Sequence, residues 1–364
     1  MKITLGDLCL PNAGQVKLEP DTLIDYFDIS SVDNISKTVK GYETYSFEEA
    51  PSRARKAVRK NSILVSTVRP NLNAVAVFQT ETDNTPVVST GFCVLDCKEN
   101  VNPRFVFNFC RSKAFIEDLV SQATGASYPA VSDKIVRAAK VPQYSSEKQN
   151  EIAQVLDSVS SIIEARKQEL QKLDELVKAR FVETFGDPII NSKHLHTKDL
   201  KDVLIMKAGD FTAASDISDT QSETNPFPCY GGNGIRGYVA EYNQEGDYSL
   251  VGRQGALSGN VQYARGKFKN TEHALLVTPI VEMNSIWLNQ LLLNLDLKRY
   301  QTGAAQPGLS VKNLQEIPIL CVPMDEQNKF AEFVKQLDKS KFVVQKALDE
   351  AQLLFDSLMQ EYFG

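Results

Sequence analysis

The chain has 364 residues, 42% of them hydrophobic and 24% charged, and a formal net charge of −6. These values describe a globular protein long enough for two domains with cores of their own, and they exclude a disordered chain. No stretch of 18 apolar residues occurs, which excludes a membrane-spanning helix.

Asp7 falls where an export signal needs its apolar stretch, so the expected location is the cytoplasm. Residues 1–145 then form a first variable part. Its runs 62–68, 74–79 and 87–95 read as strands, and 103–122 reads as one amphipathic helix. A long helix follows over 146–186. From Ile152, alternating steps of four and three select Ile152, Leu156, Val159, Ile163, Arg166, Leu170, Leu173, Val177, Arg180 and Thr184, seven of ten apolar. That spacing is a coiled-coil seam. A second stripe of Val155, Ile162, Leu176, Phe181 and Phe185 widens the apolar face, and Gly186-Asp187-Pro188 stops the helix.

A second variable part, 187–323, carries strand-like runs at 248–253 and 274–278 and an amphipathic helix at 283–300. The second long helix, 324–364, repeats the ladder 178 residues on: Phe330, Val334, Leu337, Lys341, Val344, Leu348, Ala351, Phe355, Leu358 and Tyr362, nine of ten apolar. At 1.5 Å per residue each long helix spans about 60 Å, a length suited to a spacer.

The offset of 178 extends beyond the helices. Residues 124–186 reappear at 302–364 without a gap and with fourteen identities, among them Thr124-Gly125-Ala126, Pro129, Ser132, Lys134, Gln149-Asn150 and the closing Phe185-Gly186. The chain is therefore a duplicated unit, a variable part followed by a long helix, written twice. Segments 147–187 and 325–361 each carry a net −3, so the helices hold the whole negative charge and the remainder is neutral. Within that remainder Arg53, Arg55, Lys56, Arg59 and Lys60 form a basic cluster able to contact DNA, although neutral modules alone would bind it weakly.

Catalytic chemistry is not found. Asn102-Pro103-Arg104-Phe105 and Asn225-Pro226-Phe227-Pro228 both miss the motif by which adenine methyltransferases hold a flipped base. Gly232-Asn233-Gly234-Ile235-Arg236-Gly237 spells a dinucleotide-binding pattern, yet a strand rather than a helix follows it. No phosphate-binding loop occurs, His194 and His196 read as solvent-facing, and the six cysteines form no zinc site and read as reduced, buried thiols. The expectation is no catalytic residue, no metal and no cofactor in this chain.

The layout resembles the specificity subunit of type I restriction–modification systems over essentially the whole chain. The marks are the two Thr-Gly-Ala…Pro…Ser…Lys stretches leading to Gln-Asn and a helix ending in Phe-Gly, the stretch 64–71, and Tyr230-Gly231-Gly232-Asn233-Gly234 with Val251-Gly252-Arg253-Gln254-Gly255-Ala256. The resemblance implies an α+β fold with an internal pseudo-two-fold repeat. Two α/β target-recognition domains (1–145 and 187–323) alternate with two long antiparallel coiled-coil helices (146–186 and 324–364). It implies a non-catalytic subunit that reads a bipartite, asymmetric site on double-stranded DNA for two N6-adenine methyltransferase subunits and for restriction nuclease subunits. S-adenosylmethionine, and ATP for restriction, would reside on those partners.

Loops after strands are the places to seek contacts. Arg69 and Arg253 are candidates for a bidentate contact to guanine, with Asn71 and Gln254 beside them. Tyr230, Gly232, Asn233 and Arg236 lie on a loop whose glycines would let the backbone approach DNA. Tyr128 and Gln306 are equivalent positions of the repeated loop. Lys134 and Lys312, common to both copies, suit phosphates, and Arg53 and Arg55 represent the basic cluster. Val155, Ile162, Leu176, Phe181 and Phe333 are candidates for binding a partner protein. The alternative reading is a coiled-coil adaptor whose two modules bind proteins.

Overall fold

The computed structural model describes residues 2–11, 14–303 and 307–364. Among them five helices have eight or more residues: α1 (Pro103–Cys110), α2 (Lys113–Gln122), α3 (Ser146–Phe185), α4 (Ser285–Asn294) and α5 (Met324–Phe363). The fold is α+β and divides into two compact units, residues 1–167 with 346–364, and residues 168–345. Each unit thus holds one variable part, the first half of the long helix that follows it and the second half of the other long helix.

In unit one, β1 (Lys2–Thr4) pairs antiparallel with β9 (Lys140–Pro142), tying the start of the module to the foot of α3. A four-stranded sheet contains β2 (Leu23–Phe27), β3 (Glu43–Ser46), β4 (Ala54–Ala57) and β7 (Thr85–Ser89) in the order β3-β2-β7-β4, with β2 and β7 parallel. A three-stranded sheet, β6-β5-β8, is built from β5 (Ile63–Ser66), β6 (Val75–Val77) and β8 (Phe92–Leu95). The expected strand 87–95 is therefore two strands in different sheets, parted at Thr90-Gly91. The expected helix 103–122 is also two. Asn102 caps α1 with Pro103 in its first turn, and Ser112 interrupts by accepting the Phe115 N–H and starting α2. A capping serine closes one helix and opens another more readily than it sits mid-helix.

Unit two repeats this plan. Its ribbon is β10 (Thr197–Asp199) with β19 (Pro318–Leu320). One sheet has the order β11-β18-β15-β16, from β11 (Leu204–Ala208), β15 (Tyr248–Gly252), β16 (Val261–Ala264) and β18 (Ala274–Pro279). The other has the order β13-β12-β17-β14, from β12 (Phe227–Gly231), β13 (Gly234–Val239), β14 (Gln244–Glu245) and β17 (Lys267–Asn270). Again one pair, β12 and β17, runs parallel. The helix expected over 283–300 is α4 alone, because Asp296 turns left-handed before a separate 3-10 turn at Leu297–Tyr300.

The long helices bury a stripe that changes register along their length. Ile152, Leu156, Val159 and Ile163 enter the core of unit one on the heptad ladder, beside Phe355, Met359 and Phe363 of α5. In unit two the ladder positions Arg180 and Thr184 are exposed, and Val177, Phe181 and Phe185 form the buried face. A straight helix of 3.6 residues per turn drifts about 20° per heptad against a 3.5-residue pattern, so the second stripe replaces the first. Within unit two Asp174 meets Lys341 at 2.5 Å and Phe181 meets Phe330 at 5.5 Å between ring centres. Numbers fall on α5 as they rise on α3, so the two halves there are antiparallel.

The repeated Gln-Asn pair has a structural cause. Gln149 Oε1 accepts the Asn102 N–H at 3.2 Å, Gln149 Nε2 donates to the Tyr144 carbonyl at 3.1 Å, and Asn102 Nδ2 donates to Asn150 Oδ1 at 2.7 Å. In unit two Gln327 Oε1 accepts the Asn284 N–H at 2.9 Å, Gln327 Nε2 donates to Val322 O at 2.7 Å, and Asn284 Nδ2 donates to Asn328 Oδ1 at 2.8 Å. The same clamp joins the N-cap of α1 or α4 to the first turn of the long helix. Buried main-chain groups need such partners.

Candidate nucleic-acid interface

A turn after β5 in module one and after β15 in module two carries the predicted arginines, and the duplicated Thr-Gly loop holds it. In module one Arg69 N donates to Pro129 O at 2.7 Å, Val131 N to Thr67 O at 2.9 Å, Thr67 N to Gly91 O at 2.8 Å and Ser66 N to Ala74 O at 2.8 Å. In module two Gly255 N donates to Pro307 O at 2.8 Å, Leu309 N to Arg253 O at 2.8 Å, Arg253 N to His273 O at 2.9 Å and Gly252 N to Asn260 O at 2.8 Å. Thr124 exchanges bonds with Ala130 just as Thr302 does with Gly308. The two skeletons coincide when Thr67, Val68 and Arg69 are matched to Arg253, Gln254 and Gly255.

Arg69 and Arg253 are therefore not counterparts, although both follow a Leu-Val run. Arg69 matches Gly255, and Arg253 matches the buried Thr67. Both ends of the turn are left-handed in both modules: Arg69 (φ +50°) and Asn73 (φ +47°), Gly255 (φ +79°) and Gly259 (φ +86°). A residue other than glycine costs about 1–2 kcal/mol in that conformation. Module one bears that strain at an arginine.

Three predicted residues of module one come together here. Arg69 is exposed with its guanidinium 4.8 Å from the ring centre of Tyr128, itself 69% exposed, and Asn71 lies exposed on the same turn. Lys134 is exposed in the short helix capped by Ser132. The basic cluster divides. Arg55 lies over the Phe47 ring at 4.6 Å and donates to the Ala54 carbonyl, Lys56 binds Asp133 at 2.6 Å, and Arg59 binds Asp96 at 3.1 Å. Arg55 is thus half-buried, with its guanidinium engaged by Phe47 and the Ala54 carbonyl. Arg53 is exposed, and its carbonyl accepts the Thr90 N–H beside the turn's own contact at Gly91.

In module two Arg253, Gln254 and Lys312 line one open cleft of about 530 Å³ with Ser310 and Thr302. Gln306 lies outside the described residues. The glycine loop has an internal explanation. A β-carbon at Gly252 would collide with the Gly232 carbonyl, and one at Gly232 would press on the His273 carbonyl, so these glycines let two strand ends cross. Tyr230 is half-buried, its ring 5.5 Å from Phe268 and its carbonyl accepting from Thr271. The ring thus packs in part against the core of module two. Asn233 accepts from Asn260 Nδ2 at 2.7 Å, and exposed Arg236 lays its stem over Gly231.

Three residues with a part in these turns escaped the sequence reading. Lys37, on the 28–42 connection, donates to the Asn73 carbonyl at 2.5 Å and to Asn73 Oδ1 at 2.9 Å. Burial, and then the neighbouring Arg111, push its pKa down to about 8, against the pull of Asp33. Asn73 in turn donates to the Cys110 carbonyl at 2.9 Å. His273 Nδ1 meets Gln254 Oε1 at 3.1 Å, and its Nε2 lies 3.1 Å from Glu272. Only Asn73, a residue type that tolerates left-handed backbone, left a trace in the sequence.

Of the partner candidates, Ile162 (50%) and Leu176 (46%) are exposed, Val155 and Phe333 are half-buried, and Phe181 is fully buried against Phe185 and Phe330. Phe181 offers no surface to a partner, and its assignment is corrected to core. Among the described residues no group of His, Cys, Asp and Glu could hold a metal ion, and no helix is long and apolar enough to cross a membrane.

Comparison with known proteins bears on the same architecture. A family model described as "Type I restriction modification DNA specificity domain" matches residues 1–175 and 193–351. The chain is 33% identical over 201 residues to the EcoprrI type I restriction enzyme specificity subunit of Escherichia coli, covering 54% of this chain and 50% of that protein. It is 28% identical over 158 residues to a putative type I specificity subunit of Haemophilus influenzae, covering 43% and 40%. The chain spans about half the length of the curated relatives it matches. Two solved structures share the fold. One is a chain described for complex assembly and conformational transition of a type I restriction–modification system (TM-score 0.61, 22% identity, 100% of this chain and 97% of that one). The other is the type I S subunit from M. genitalium (TM-score 0.59, 18% identity, 100% and 96%). With both halves matched by the family model, this chain belongs to the type I restriction modification DNA specificity domain family.

Proposed function

We propose that this chain is the sequence-recognition subunit of a type I restriction–modification complex, without catalysis of its own. It reads a bipartite, asymmetric site on double-stranded DNA and places N6-adenine methyltransferase and restriction nuclease subunits there. The observation that carries this reading is the pair of coincident turn skeletons bearing different exposed side chains: Arg69 and Asn71, with Tyr128 beside them, in one module, and Arg253 and Gln254 in the other. Shared main-chain bonds fix where each turn sits on its sheet, and divergent side chains on the same turn read different bases. Few exposed cations carry the contact, so phosphate attraction alone is weak and partner subunits add basic surface. S-adenosylmethionine, and ATP for restriction, belong to those partners, and exposed Ile162 and Leu176 on α3 are surfaces for them.

The test is an adenine-methylation map of DNA from cells expressing the full chain with the methyltransferase subunit of its system, against cells with the methyltransferase alone. A split motif that appears only with this chain is the expected result. If both proteins are soluble and co-purify, yet no motif appears, the chain is instead an adaptor that binds proteins.

A further inference from the structure

We infer that Arg69, stacked on Tyr128, is the guanine-reading element of module one, and that module two has no counterpart at that position. The inference rests on the proposed reading of the chain and names the residue pair that sets one half of its specificity. Three independent observations lead to it. Arg69 occupies a left-handed position that its match in module two, Gly255, fills with glycine. The shared skeleton therefore gives no reason for a side chain there, and strain retained at such a position points to a role outside folding.

The second observation is how the guanidinium is held. It lies 4.8 Å from the Tyr128 ring centre, and among the described residues its side chain makes no hydrogen bond or ion pair. A contact with an aromatic ring takes up no hydrogen-bond acceptor, so the guanidinium fork keeps no hydrogen-bonding partner among the described residues. That fork is the group that matches O6 and N7 of guanine in the major groove. By contrast Arg104 already directs its fork at Asp157, with bonds of 2.8 and 2.7 Å.

The third is support from beneath. Lys37 and Asn73 fix the far end of the turn, and Pro129 O fixes the near end at Arg69 N, so the exposed arginine stands on a backbone held at both ends. A reader of bases gains from such preorganisation, because little motion is lost on binding.

The experiment repeats the methylation map with Arg69→Gly, Arg69→Lys, Tyr128→Phe and Tyr128→Ala in the full chain, with thermal unfolding of each purified complex. Arg69→Gly is expected to relax one guanine position of one half-site by about 5- to 150-fold, the loss of one bidentate pair. The other half-site should stay intact and the melting temperature should not fall. Arg69→Lys, a point charge on the same backbone, should relax the same position and keeps the test valid if the glycine variant is poorly folded. Tyr128→Phe should retain the motif and Tyr128→Ala should weaken the same position. An unchanged motif with Arg69→Gly and Arg69→Lys, or an equal loss at all sequences (a phosphate contact), overturns the inference while the proposed function stands. A wild-type chain that yields no split motif overturns that function itself.

Discussion

Module one and module two secure the same turn by opposite means. In module one β2 and β3 are joined by residues 28–42, which carry Lys37 to Asn73, and the left-handed ends of the turn are Arg69 and Asn73. In module two β12 and β13 are joined by Gly232-Asn233 alone, and the left-handed ends are Gly255 and Gly259. One module holds a strained backbone with side-chain bonds, and the other removes the strain with glycine. The first arrangement frees a turn position for an arginine. The second places its arginine two residues earlier, where module one has a buried threonine. Two modules can thus share the main-chain bonds that tie the turn to its sheet and to the Thr-Gly loop and still present their charges from different points.

The largest expected effects lie where the units bury equivalent positions of the long helices. Phe181 and Met359 are partners in the repeat and buried at 0% and 8% exposure. Phe181→Ala should destabilise unit two by about 3–5 kcal/mol, and Met359→Ala should destabilise unit one by about 2–5 kcal/mol. Hydrogen exchange on the full chain separates the two, because each variant should lose protection mainly in its own unit. Equal loss in both units from either variant would mean that they unfold together.

The Gln-Asn clamp should behave alike on both sides. Gln149→Ala and Gln327→Ala each strand a part-buried N–H and a carbonyl, at a cost of about 1–3 kcal/mol. Matching shifts in the urea midpoint are the expected outcome. A strong effect at one and none at the other would show that the repeat has kept the letters without the role.

The letters themselves revealed the repeat, the long helices and the Thr-Gly loop, because those features follow an unbroken offset or a simple period. The match between Arg69 and Gly255 was hidden. The spacing from strand to loop differs between modules, and only hydrogen bonds to Pro129 and Pro307 align the turns. Charge counting likewise grouped Arg53, Arg55, Lys56, Arg59 and Lys60, while Arg55 packs on nearby Phe47, and Lys56 and Arg59 point into ion pairs set by residues far along the chain. Phe181 stood on the second apolar stripe, and periodicity alone leaves open whether such a stripe covers the adjacent domain or a partner; in the fold it enters the core of unit two.

The glycine crossing gives a smaller and one-sided contrast. Ser66 matches Gly252, and a side chain fits at the first position only, because the Gly232 carbonyl fills the space at the second. Gly252→Ser should destabilise by about 1–3 kcal/mol through overpacking, whereas Ser66→Gly should cost roughly 0.5–1 kcal/mol. Circular dichroism melts of the two variants decide it; a tolerated Gly252→Ser would mean that the Gly232-Asn233 turn moves freely.

The last contrast concerns pH and is confined to module one. Burial and Arg111 lower the pKa of Lys37 to about 8, with Asp33 opposing them and the Asn73 oxygens accepting from its ammonium. An unfolded lysine titrates near 10.4. Between about pH 8 and about pH 10.4 the unfolded chain therefore binds more protons at this site than the folded chain. The penalty for holding a buried ammonium is fully present below about pH 8, and stability from this group rises as pH climbs through that window. Urea midpoints taken across it should climb less steeply for Lys37→Met than for the unsubstituted chain. Among the described residues no equivalent lysine serves the turn of module two, where glycine replaces the bonded side chain, so an unaltered slope in Lys37→Met would place the titration elsewhere and remove the strap from the comparison.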